Sequence, residues 1–71
     1  MKPIQFYEIY LINGSTIRIA EDYDLPFEDG FVSKFMSADE TDVLRAQCCT
    51  FSGECYIPKK NILFIAEGDV V

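Results

Sequence analysis

The chain has 71 residues, 49% of them hydrophobic, and carries 12 Asp and Glu against 6 Lys and Arg for a net charge of −6. A chain this short holds one domain, and one this rich in Ile, Phe, Tyr, Val and Leu sustains a core rather than staying disordered. Its acidity repels phosphate backbones and anionic lipid, and the lack of any histidine removes the commonest general base and every His-containing metal site.

Residues Ile4 to Ile12 (IQFYEIYLI) are β-branched and aromatic, with Tyr7, Ile9 and Leu11 alternating against Phe6, Glu8 and Tyr10. This is the pattern of a strand with apolar groups on both faces. Asn13-Gly14 follows and predicts a type I′ hairpin turn, because both residues tolerate positive φ. The second strand, Ser15 to Ala20, places Ile17 and Ile19 on one face and Thr16 and Arg18 on the other.

After Tyr23 the period changes. Phe27, Phe31, Val32, Phe35 and Met36 recur at three- and four-residue spacing, which predicts a helix from Leu25 to Ser37 covering the sheet. Asp24 stands at the N-cap, Pro26 in the first turn, and Glu28 and Asp29 near the positive end of the dipole. Gly30 opposes the helix by about 1 kcal/mol relative to Ala.

Ser37 to Glu40 reads as a turn and Thr41 to Cys49 as a third strand, with Leu44, Ala46 and Cys48 on one face. A four-residue turn, Thr50 to Gly53, leads into Glu54 to Ile57, which sets Cys49 opposite Glu54 and Cys48 opposite Cys55. Pro58 to Asn61 predicts one turn of 3₁₀ helix before the last strand, Asn61 to Ala66, and Gly68 to Val71 reads as a tail. The fold class is therefore α+β, mainly β. Five short antiparallel strands, with a helix between the second and third, curl into a partly open barrel.

The opening IYLINGSTI, the later hairpin and the ending YIPKKNILFI, a proline turn into a last apolar strand, resemble the layout of SH3-like and Sm-like small barrels over about two thirds of the chain. The resemblance implies a five-stranded SH3-like barrel and, on the Sm-like side, an oligomer that binds RNA or single-stranded DNA. Sm-like proteins carry their helix at the N-terminus, and their basic and aromatic contact motifs are not recognisable here, so no binding residue is carried over. In size and acidity the chain also resembles small bacteriophage and other bacterial proteins.

Cys48, Cys49 and Cys55 are the only cysteine nucleophiles, and a catalytic thiol needs a base or cation beside it, for which the sequence offers only Arg45. The spacing C-C-x₅-C lacks the paired knuckles of a zinc site. No catalysis, metal or cofactor is expected, and the bland reading makes Cys48 and Cys55 small core residues and Cys49 an edge residue. An odd cysteine count, no signal peptide and no stretch of roughly 18 apolar residues place the chain in the cytoplasm, off the membrane.

Eight of the twelve acids lie in the middle of the chain, and Glu21, Asp22, Asp24, Glu28 and Asp29 cluster at the expected helix start. A solvated helix start explains such acids; the sharper reading is an acidic helix face that docks on a protein partner. Two-sided apolar strands predict an exposed sheet edge and a homo-oligomer. The expected function is a non-catalytic protein-interaction module. The alternative is an Sm-like nucleic-acid binder that gathers Arg18, Arg45, Lys59 and Lys60, with Tyr7, Tyr10 or Phe51 stacking on bases.

Overall fold

The structure is a computed structural model that describes residues 2–50 and 52–71. Five strands, β1 (Ile4–Leu11), β2 (Thr16–Asp22), β3 (Val43–Cys48), β4 (Glu54–Pro58) and β5 (Ile62–Val70), form one antiparallel sheet in the order β4-β3-β2-β1-β5. A single α-helix, α1 (Phe31–Ser37), lies between β2 and β3, and two 3₁₀ turns span Phe27–Asp29 and Lys59–Asn61.

The alternation along β1 and β2 places Ile9 and Ile19 in the core, joined by Phe31, Leu44, Ile57 and Ile62, so every strand and the helix contribute at least one buried side chain. Tyr7, Leu11, Ile17, Ala46, Cys55 and Ile65 pack around them. On the opposite face, among the described residues, the sheet is covered by its own side chains. There Tyr10 stacks on Phe64 at 4.3 Å between ring centroids and Arg18 lies 4.3 Å over the Phe6 ring.

The sheet curls without closing. Strands β4 and β5 stand at opposite edges, which in a flat five-stranded sheet lie about 19 Å apart, while three residues of 3₁₀ helix advance only about 6 Å. The Lys59 N–H donates to the Asp42 carbonyl just before β3, and the Asn61 carbonyl accepts from the Ile12 N–H just after β1. The 3₁₀ turn thus draws the two ends of the sheet toward each other.

Five expectations are corrected. The first hairpin does not close through a type I′ turn, because Asn13 keeps a negative φ and only Gly14 is positive at 90°. The Gly14 N–H returns to the Leu11 carbonyl and the Leu11 N–H donates to the Ser15 carbonyl, while Asn13 Oδ1 accepts from the Ser15 N–H. This is a turn followed by a left-handed glycine, another standard hairpin solution, in which Gly14 is the third and last residue of the loop.

The helix does not begin at Leu25. Phe27–Asp29 is a 3₁₀ turn, Gly30 is extended at φ −80° and ψ 163°, and α1 starts at Phe31. Asp24 caps nothing; instead Glu21, reaching from β2, accepts the Phe31 N–H at 2.8 Å. A Cβ at position 30 would stand 3.1 Å from the Glu21 carboxylate, so glycine both breaks the helix and lets the carboxylate in. Phe27 consequently leaves the covering stripe and is 69% exposed.

The β3–β4 register is two residues off the expected one. Gln47 pairs with Glu54 and Ala46 with Cys55, because the loop closes one residue earlier on each strand, with the Cys48 N–H donating to the Gly53 carbonyl. A shift of two keeps every side chain on its face, so Cys48 and Cys55 remain neighbours, diagonal rather than opposite. Strand β3 also starts two residues later than expected, since Asp42 folds back on Asp39 through both its backbone N–H and its carboxylate.

The expected tail is strand. β5 runs on to Val70, and Ile4 and Val71 exchange both backbone hydrogen bonds. Gly68 sits in a bulge where an added Cβ would come within 3.1 Å of the Phe6 carbonyl. Among the described residues no helix is long and apolar enough to cross a membrane.

Candidate functional site

The end of β2, the connection that follows it and the start of β1 enclose a cleft of about 280 Å³ against the first turn of α1. Glu21 and Asp22 line it, with Tyr7, Tyr23, Leu25 and Phe27 as its apolar walls and Gln5 among its inner residues. The sequence places these groups together by two devices. Parity on β1 puts Gln5 and Tyr7 on the core side with Ile9, and the Glu21–Phe31 hydrogen bond folds the 23–30 connection back over them.

Among the described residues Gln5 is the buried polar side chain, 5% exposed. Its Nε2 donates to the Phe6 carbonyl at 2.8 Å and to the Gly68 carbonyl at 3.0 Å, which stitches the bulge of β5 to β1. Two carbonyl partners demand two donors, so the orientation of the amide is set. Tyr7 stands beside it with its hydroxyl pKa raised, first by burial and then by the negative charges of Glu21 and Glu67.

The acidic residues do not share a helix face, which corrects the expected acidic helix start. Glu21 and Asp22 end β2, Asp24 lies in the connection, and Glu28 and Asp29 belong to the 3₁₀ turn. Glu21 is half-buried and holds α1, whereas the other four are exposed.

The four cations of the nucleic-acid alternative are dispersed. Arg18 rests on Phe6, and Arg45 pairs with Glu54 at 2.8 Å, both on the outer face. In the β2–β3 register Arg18 falls level with Cys49, four residues from Arg45 or about 13 Å along the strand. Lys59 turns inward, donating to the Ala38 carbonyl at the end of α1 and lying 5.0 Å over the Phe35 ring. Lys60 alone is exposed without such engagement. Tyr10 is occupied by Phe64, Tyr7 is half-buried, and Phe51 lies outside the described residues.

A second concavity, about 490 Å³, runs between α1 and β5 and is lined by Tyr7, Val32, Phe35, Met36, Leu63, Phe64, Ile65 and Glu67. Strand β5 has a neighbour on one side only. Because Ile4 exchanges both its hydrogen bonds with Val71, and antiparallel pairs alternate, Glu8 with Ala66 and Tyr10 with Phe64 are the bonded pairs. The backbone N–H and C=O groups of Ile65 and Glu67 therefore point to the open edge. Beside it Met36, Leu63 and Phe64 are 69%, 64% and 50% exposed.

Cys48 and Cys55 are neighbours inside the sheet, and no disulfide joins them. Burial, then the hydrogen bond and charge of Cys48, push the Cys55 thiol up to about 11 from its ordinary 9.0. The folded chain holds that proton more tightly than the unfolded one, so the stability it contributes is complete below pH 9 and is lost as pH rises through about 11. Native protein at pH 8 is expected to give one rapidly alkylated thiol, Cys49, with Cys48 and Cys55 reacting only on unfolding. Peptide mapping after a brief pulse of iodoacetamide checks this, and rapid labelling of Cys55, which is half-buried, would contradict its raised thiol pKa. Among the described residues no three Cys, Asp or Glu side chains gather closely enough to hold a metal ion.

Compared with known proteins, the chain matches no protein-family model, no curated protein and no solved structure. Sequence reasoning had selected Glu21 and Asp22 but missed Gln5, Tyr23 and Phe27. A polar residue at core parity in an apolar strand was the available signal for Gln5, and Phe27 was hidden by its place in the helical stripe.

Proposed function

We propose that this chain is a small non-catalytic protein-interaction module of SH3-like, partly open barrel form, working in the cytoplasm and taking an extended segment of a protein partner along the open edge of β5. The observation that carries this reading is that edge itself: unpaired backbone groups at Ile65 and Glu67 stand beside a groove walled by Met36, Phe35 and Leu63. Main-chain hydrogen bonds give such a site its affinity and the flanking groove its side-chain preference.

An open, apolar strand edge pairs with whatever strand is offered. Without its partner the chain therefore pairs with a second copy of itself, which accounts for a homo-oligomer by the same surface. The scattered cations, two of them committed to Ala38 and Glu54, weigh against the nucleic-acid alternative. The lack of a base beside any cysteine supports a binding role over catalysis.

A charge on a strand edge opposes pairing. Leu63→Lys is therefore expected to convert a concentration-dependent oligomer into a monomer in sedimentation velocity, with an unchanged melting temperature because Leu63 is exposed. A wild-type chain that stays monomeric at every concentration, or a variant that still assembles, would sink the edge-pairing reading.

A further inference from the structure

Strand β5 exposes apolar side chains along its open edge, and its charges are sorted by end. Leu63 and Phe64 stand exposed there, with Met36 of α1 beside them. Lys60, in the 3₁₀ turn just before the strand, is exposed, and so are Glu67 and Asp69 in its second half. A parallel neighbour of the same sequence sets Lys60 beside Lys60 and Glu67 beside Glu67. An antiparallel one sets the basic start of each strand against the acidic end of the other. The edge is thus complementary in charge to a second copy of itself running the opposite way.

A two-fold axis that keeps edge-facing backbone groups opposite one another passes through a residue, and the side chains choose which. Centred on Glu67, two carboxylates meet. Centred on Ala66, Leu63 meets Asp69, and centred on Ile65, Leu63 meets Glu67. Centred on Leu63, Ile65 meets Asn61, which the 3₁₀ turn has already taken out of the strand. Centred on Phe64, Leu63 meets Ile65 and Phe64 meets Phe64, so apolar faces apolar throughout. Phe64 spends its backbone bonds on Tyr10 of β1, which makes it a non-hydrogen-bonded position toward the open side, where opposing side chains come closest. The Tyr10–Phe64 stack then continues into the same two rings of the second copy, and the Lys60 end lies beside the Glu67-to-Asp69 segment.

We propose that β5 pairs antiparallel with β5 of a second copy across a two-fold axis at Phe64, joining the two sheets into one continuous sheet. The inference rests on the β5-edge reading and deepens it by fixing the partner, the direction and the register. The assembly is a closed dimer rather than an open chain of subunits, because each copy spends the same edge on the other. In this register Leu63→Lys sets an ammonium against Ile65 of the second copy, which is the physical reason that it separates the pair.

The test mixes isotope-labelled and unlabelled full-length chains and reads contacts between copies by isotope-filtered nuclear magnetic resonance. The expected contacts run from the Leu63 methyls of one copy to the Ile65 methyls of the other, and from one Phe64 ring to the other. Lys60→Glu, at an exposed position, is expected to raise the dimer dissociation constant about two- to tenfold, and adding Glu67→Lys to recover most of the loss. Sedimentation velocity supplies the constants, and unchanged melting temperatures show that both variants fold. Contacts between copies in any other register or direction, or a dimer indifferent to Lys60→Glu, would overturn this inference and leave the β5 edge standing as a docking site. A chain that stays monomeric at every concentration would overturn both.

Discussion

Ile9→Ala is expected to lower the free energy of unfolding by about 2–5 kcal/mol, the range for truncating a large aliphatic side chain where its surroundings cannot collapse. Ile9 is fully buried at the centre of β1, paired with Ile17 on β2 and Ile65 on β5. Both flanking strands hold its backbone in place, so neither can move in to fill the space. A domain of this size commands only a modest stability to begin with. At about 4–8 °C per kcal/mol the melting temperature falls by roughly 10 °C or more. Urea denaturation followed by circular dichroism measures the loss. A change below about 1 kcal/mol would mean that β1 is not the centre of the core.

Lys59→Met carries the second large effect, because Lys59 is a structural cation. Its ammonium ties the C-terminal carbonyl of α1 at Ala38 and covers the Phe35 ring, which holds the seven-residue helix against the sheet. A helix of that length does not persist alone, so its terminal contacts matter. Methionine keeps the apolar stem and removes the charged donor, at an expected loss of about 1.5–3 kcal/mol. The neighbouring Lys60→Met is expected to change stability by less than about 0.5 kcal/mol, since Lys60 is exposed. Parallel thermal melts of the two variants provide the comparison. Equal, small effects would return Lys59 to the surface and reopen the cationic-face reading.

The strands were readable because period-two alternation is a local property: parity groups Ile9 with Tyr7 and Leu11, Ile19 with Ile17, and Leu44 with Ala46, and these are the faces that lie inside. The 3₁₀ turn at Lys59–Asn61 was readable from Pro58, whose φ of −60° suits that entry. What failed did so where a distant residue intervened. The helical stripe from Phe27 to Met36 was broken at Gly30 by Glu21, ten residues before Phe31, and no helical period reports a carboxylate arriving from another element. The β3–β4 register failed by a neutral slip of two, which the side-chain pattern cannot detect.

The candidate site divides along the same line. Its acids were visible as a charge cluster, but the three- and four-residue apolar spacing that follows put them at a helix start. Gln5 looked like an interruption in an apolar strand until the bulge at Gly68 gave its amide two carbonyls to bond, and Tyr23 and Phe27 became walls only when the connection folded over β1.

By itself the amino-acid sequence determined the mainly-β class and the strand parities and marked where the two glycine turns fall, all of which rest on the intrinsic geometry of neighbouring residues. Only the tertiary structure decided the fate of Lys59 and Glu21, the open edge of β5 and the cleft at the end of β2. Each of these depends on hydrogen bonds between residues far apart in the chain, and such bonds leave no period in the sequence.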